Sequence, residues 1–219
     1  MKKSLIIGVL ALAIAALAPQ AAAAESSINW GIKLGFSSGR ISLEGPLPTG
    51  WSGKYSLARA AFGAYGAFSF GERFAIQPEI LYFTAGGGGS YPDSITQAIR
   101  RIRFEYDYIE VPVLAKFRLM QGVRAIPVVF AGPSVGFLLK AKGRNYLGNT
   151  LESEQDVTAA YKTLNLGLLF GLGVDWKLGR ISLVFDARFD LGLVNISKPL
   201  SGQPMTKTRT FLLMAGAGF

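Results

Sequence analysis

The chain has 219 residues and a formal net charge of +9, from 23 Lys and Arg against 14 Asp and Glu, with neither cysteine nor histidine. Half of it is hydrophobic and 17 % is charged, below the roughly 25 % charge of an average soluble domain. The mean hydropathy is +0.32, yet past the N-terminus no run approaches the roughly 18 apolar residues of a membrane helix. The apolar content is therefore spread over many short segments. No thiol is available for a disulfide or a thiol-linked lipid anchor, and the usual general base of enzymes is missing.

The first 24 residues read as an export signal. Lys2 and Lys3 form a positive start, Leu5 to Leu17 an apolar stretch too short to span a bilayer, and Ala22-x-Ala24 a small-residue cleavage site after Pro19. Without the two lysines a charge of +7 remains. There is no basic helix and no zinc or RNA-binding motif, so the excess suits an anionic lipid surface better than nucleic acid.

From Glu25 onward the dominant period is two, the mark of strands. Strands are predicted at about 28–41, 58–70, 74–84, 104–119, 126–140, 162–176, 180–195 and 207–219. In 180–195, Ile181, Leu183, Phe185, Ala187, Phe189, Leu191 and Leu193 share one face. Arg180, Ser182, Val184, Asp186, Arg188, Asp190 and Gly192 share the other. A helix would spread those charges around its circumference; a strand segregates them. Segment 162–176 repeats the pattern.

The connections alternate in length. Gly71-Glu72-Arg73, the stretch around Gln121-Gly122, and Lys177-Leu178-Gly179 are short. Those after the first, third, fifth and seventh strands are long. Gly86–Gly89 opens one of them as a flexible loop, and Pro199–Pro204 lies in another. Short turns at one rim and long loops at the other describe an all-β, eight-stranded antiparallel up-and-down transmembrane β-barrel over residues 25–219, with both termini at the periplasmic rim. Aromatic residues populate both rims. Trp30, Phe70, Phe74, Phe117, Trp176 and Phe219 lie at the short-turn side, and Phe36, Phe62, Tyr82, Tyr106, Phe137 and Phe211 toward the long loops. Two interfacial girdles are expected from them. Pro78, Pro112 and Pro133 lie inside strands and each lacks a ladder donor, so bulges or broken pairings are expected there.

A soluble barrel would carry the same alternation turned inside out. Three features favour the membrane. The polar stripe is too weakly charged to face water, the apolar stripe is uncharged in its central part, and the last strand ends on an aromatic residue. Phe211, Leu213 and Phe219 with the alanines between them form an apolar face at the chain end. It resembles the signal by which outer-membrane barrels are recognised by their assembly machinery.

Three inner stretches carry a wider resemblance. Gly31–Phe36 (GIKLGF), Tyr108–Lys116 (YIEVPVLAK) and Ala131–Phe137 (AGPSVGF) resemble, in that order, the porin-like and PorT-like outer-membrane β-barrel domain common in Bacteroidetes. The likeness spans nearly the whole mature chain. It implies the fold and an outer-membrane location but imports no activity. The histidine-dependent chemistry of outer-membrane phospholipases, lipid A deacylases and omptin-type proteases is closed to this chain. No phosphate loop, metal cluster or dinucleotide motif is present, so no cofactor is expected.

The polar face carries Lys33, Glu79, Glu110, Lys116, Arg118, Asp175, Asp186, Arg188 and Asp190. Charges inside a lumen of eight strands must pair, because such a barrel is filled by its own side chains. A structural ion-pair plug is expected, with a gated path for small solutes as the alternative. Glu79 and Glu110 could also face inward as a carboxylate pair. Arg100, Arg101, Arg103, Lys140, Lys142 and Arg144 fall in the long loops, where they could meet lipopolysaccharide phosphates. The expected partners are outer-membrane lipid and lipopolysaccharide, periplasmic chaperones and the barrel assembly machinery. The protein is expected to be a monomer without enzymatic activity.

Overall fold

A computed structural model describes residues 26–44, 47–93, 96, 98–198 and 205–219. The export signal, and the Pro199–Pro204 part of the last long loop, lie outside the described residues. Nine strands are formed: β1 Ser26–Glu44, β2 Ser52–Phe70, β3 Phe74–Pro92, β4 Ile99–Arg118, β5 Ala125–Leu147, β6 Thr150–Asp156, β7 Leu164–Leu178, β8 Ile181–Gly192 and β9 Met205–Gly218. Eight of them close a ring in the order β1-β2-β3-β4-β5-β7-β8-β9, with β9 returning to β1. All pairings are antiparallel. β6 stands outside the ring as a hairpin on the far end of β5, joined by a turn in which Gly148 takes a positive φ of 58°.

Alternation builds the wall. On β1 the even-numbered residues face outward: Trp30, Leu34 and Phe36 are 62 %, 64 % and 69 % exposed. Between them Lys33 and Ser37 are buried in the lumen. The short turns after β2 and β7 and the one before β5 each use a glycine at positive φ, Gly71, Gly179 and Gly122, as a tight reversal requires. Ser26 pairs with Phe70, and Trp30 and Phe219 exchange backbone hydrogen bonds of 3.1 and 2.7 Å. Both described chain ends therefore lie at the short-turn rim, the periplasmic one in outer-membrane barrels.

Several expectations are corrected. Gly86–Gly89 is not a loop but part of β3, and Arg100, Arg101, Arg103, Lys140, Lys142 and Arg144 lie on β4 and β5 rather than in loops. The strands run on beyond the apolar band, where water replaces lipid and the hydrophobic alternation ends. Of the two outcomes expected at the prolines, broken pairing is seen beside Pro78 and Pro112, without a bulge, since the register continues unchanged on either side. The shifts in the ring fall elsewhere, at Asp107/Tyr108, between Ser52 and Tyr55, and between Ser56 and Ala61. Tyr106 is no girdle residue, since it is fully buried in the lumen.

The ring is uneven in height. β1 to β5 hold 19 to 23 residues, whereas β7, β8 and β9 hold 15, 12 and 14. The tall side is also pinched inward. A Cβ on Gly39 of β1 would collide with the backbone nitrogen of Gly86 on β3, a strand that is not its neighbour in the ring. The Ser37 hydroxyl donates to the Thr84 carbonyl at 2.8 Å across the same gap.

Candidate functional site

The lumen is stratified from the periplasmic rim upward. First comes a vestibule of about 770 Å³, bounded by Asn29, Tyr65, Gln77, Lys116, Asp175 and Arg180 among others. Arg118 stands at its mouth. It donates to the Ser69 hydroxyl at 2.9 Å and to the Glu72 carbonyl at 3.3 Å. It is thus not a member of the inner ion-pair network. Lys116 meets Asp175 at 2.8 Å on the vestibule wall.

Above the vestibule four charges from three strands close into a cycle. Lys33 of β1 meets Glu79 of β3 at 2.9 Å and Asp186 of β8 at 2.6 Å. Arg188 of β8 meets Glu79 at 2.6 Å and also contacts Asp186. Each cation touches both anions, so charge alternates around the ring. The four residues are only 1 % to 4 % exposed. Burial of single charges would be prohibitive, and the cyclic arrangement gives each one two opposite partners. Phe130 and Tyr65 supply ring faces to Arg188 and Lys33 at 5.2 and 4.6 Å. Gln77 links this ring to the lower pair, donating to Glu79 at 2.5 Å and accepting from Lys116 at 3.3 Å.

Glu110 is buried in the lumen like Glu79, but among the described residues no hydrogen bond or ion pair joins the two. Near it Asp190, also buried, accepts from Ser134 at 3.4 Å. Gly167 makes room for that contact, because a Cβ there would press on both Ser134 and Asp190. Among the described residues Glu110 Oε1, Asn165 Oδ1 and the hydroxyls of Tyr108 and Thr210 have no hydrogen-bond partner.

Above these carboxylates an apolar cluster fills much of the lumen, bordered by buried threonines such as Thr208 and Thr210. Leu81, Phe83, Tyr106, Tyr108, Leu138, Leu212 and Met214 pack into one cluster. Ile196, from the segment after β8, is fully buried within it. Tyr161 meets Tyr106 edge-on at 4.9 Å. Backbone bonds from Lys162 to Ile196 at 2.7 Å and from Ile196 to Thr206 at 2.9 Å hold the segment around Ile196 over the cluster as a lid. Sequence patterning signalled the charges but missed this plug. Tyr106 read as interfacial, and Ile196 lies past the last alternating residue of its strand.

At the outer end most basic groups are engaged. Arg144 contacts Glu105 and meets Glu154 at 2.7 Å; Arg59 meets Glu105 at 2.8 Å. Arg100 contacts Asp93 and meets Glu152 at 2.8 Å. Arg103 lies over the rings of Tyr55 and Tyr146 at 5.9 and 5.1 Å. On the outer wall Phe211, Leu213 and Phe219 are exposed on the same face of β9.

An outer face of exposed apolar side chains around a polar, charged lumen defines a transmembrane β-barrel of the outer membrane. The chain belongs to the outer membrane protein beta-barrel domain family, whose model matches residues 19–198, and it is an outer-membrane protein. No curated protein matches it. Among solved structures it is similar to the outer membrane protein OprG from Pseudomonas aeruginosa. Identity is 13 % over 89 % of this chain and 96 % of that one, with a TM-score of 0.48. Ail, the attachment invasion locus protein of Yersinia pestis, matches in a complex with the heparin analogue sucrose octasulfate. There identity is 16 % over 88 % and 99 %, with a TM-score of 0.41. The outer membrane protease OmpT from Escherichia coli matches at 10 % identity over 90 % and 97 %, with a TM-score of 0.42.

Proposed function

We propose that this protein is a non-enzymatic, closed outer-membrane barrel that serves the envelope through its rigid body and its tall outer rim. Its role is envelope structure, surface interaction or support of a secretion system. The last of these follows the PorT-like likeness to barrels of Bacteroidetes. The observation that carries the reading is the two-layer closure of the lumen. A cyclic ion-pair ring and an apolar tyrosine plug lie in series above the vestibule. A solute would have to break buried ion pairs and then displace a lid that is bonded to its own strands.

The absence of histidine supports the non-enzymatic reading, since the carboxylates that remain are committed to ion pairs or sit without a substrate cleft. The alternative, a narrow channel for small or hydrophobic solutes, leans on the vestibule of about 770 Å³. Recordings from purified protein in planar bilayers separate the two. The closed reading expects no steady conductance above the bare bilayer. Reproducible unitary currents that change when the 193–204 segment is shortened would overturn it.

A further inference from the structure

Among the described residues, the outer wall carries a basic set that makes no ion pair, although Glu44 stands further out on the same face of β1. Arg40 of β1 and Arg209 of β9 are direct ladder partners, and both are exposed on the outward face. Lys207, two residues along β9 on the same face, is opposite Ser42. Like charges placed directly opposite destabilise a strand pair. Among the described residues no carboxylate forms an ion pair with these three, unlike the arginines at the rim on β4 and β5.

Their height gives the arrangement meaning. Trp30 and Phe219 are hydrogen-bonded at the periplasmic end of the same seam. Arg40 lies ten residues beyond Trp30, and Arg209 ten residues before Phe219. Ten residues at about 3.3 Å each, on strands tilted by about 45°, rise roughly 23 Å. That matches the apolar band of an outer-membrane barrel, about 25 Å tall. Below the arginines the outward face runs through Ser38 to Phe36 on β1 and through Phe211 and Leu213 on β9, with the three apolar residues exposed. The pair therefore stands where acyl chains end and outer-leaflet headgroups begin.

We infer that Arg40, Arg209 and Lys207 form a binding site for the phosphorylated headgroup of an outer-leaflet lipid, with its acyl chains lying on the Phe36–Phe211–Leu213 face. Guanidinium forks suit phosphate oxygens, often in a bidentate way. A phosphate between the two arginines turns their mutual repulsion into two charge-assisted contacts. The site does not depend on whether the lumen is closed.

The test uses full-length barrel refolded in detergent micelles, with melting followed by the unboiled-to-boiled gel shift. Three additives are compared: diphosphorylated lipid A, its dephosphorylated form, and inorganic phosphate. Wild type is expected to melt higher with the phosphorylated lipid alone. An Arg40→Gln/Arg209→Gln variant is expected to lose that rise and to retain on the order of tenfold less co-purifying lipid A. In lipid-free micelles the variant should melt no lower than wild type, because the opposed charges are gone; this separates loss of binding from loss of folding. An equal rise with dephosphorylated lipid, or a rise that survives in the variant, would overturn the site. Inorganic phosphate reproducing the effect would overturn the lipid assignment in favour of a soluble anion.

Discussion

At the scale of single residues the barrel depends on charges and glycines that cannot be altered one at a time. Arg188 is the clearest. Changing it to Leu would leave Glu79 and Asp186 buried with Lys33 as the one remaining cation of the ring. Breaking a buried pair from one side costs about 3–5 kcal/mol, and urea unfolding in micelles should show a loss of that size. Replacing all four ring residues by apolar side chains should cost far less, since no charge would be left unpaired. Gly39 acts through space rather than charge. Gly39→Val would drive β1 from β3 at Gly86 and release the Ser37 bond to Thr84. A fall in melting temperature without loss of the outer-membrane address is expected; unchanged melting would mean the pinch is dispensable.

Single elements show where the sequence could be read and where it could not. The membrane-crossing parts of the eight ring strands were legible, because lipid on one side and a charged lumen on the other force a period of two. The same alternation assigns Lys33, Glu79, Asp186 and Arg188 to one side of the wall, but not to one another. Their meeting depends on register across β1, β3 and β8, which no local pattern encodes. β6 was missed for the opposite reason. Thr150–Asp156 is polar on both faces, so it has no alternation to detect. Its hold on β5 is electrostatic, with Arg144 opposite Glu154 and Lys142 opposite Asp156 in the ladder. The Arg144 hydrogen bond keeps the Glu154 carboxyl below the usual range, and the Thr158 hydroxyl and backbone N–H do the same for Asp156. A lowered carboxylate pKa stabilises the folded form above the ordinary value, and that contribution is lost as pH falls through the lowered one. The hairpin should thus be held at neutrality and fray in acid. Amide protection across 142–156, corrected for the intrinsic exchange rate at each pH, should fall between neutrality and about pH 3 while the ring strands stay protected. Equal protection at both values would show that backbone pairing alone suffices.

For the whole molecule, closure of the ring depends on its last strand. β9 pairs with β8 on one side and β1 on the other, so no strand edge remains exposed to lipid. Deleting Phe219 removes its paired backbone bonds with Trp30 and the final lipid-facing ring. The expected result is a severalfold drop in barrel recovered from the outer membrane, with normal lumen packing in what does insert. Normal levels would count against an assembly role. The unequal strand lengths have a consequence of another kind. At about 3.3 Å per residue and about 45° tilt, 23 residues of β5 rise roughly 54 Å, and 12 residues of β8 roughly 28 Å. Among the described residues, the strands on the β1–β5 side thus rise well past an apolar band of about 25 Å, and β8 stops near its top. A molecule approaching along the cell surface therefore meets strand walls of different height, depending on the side it comes from.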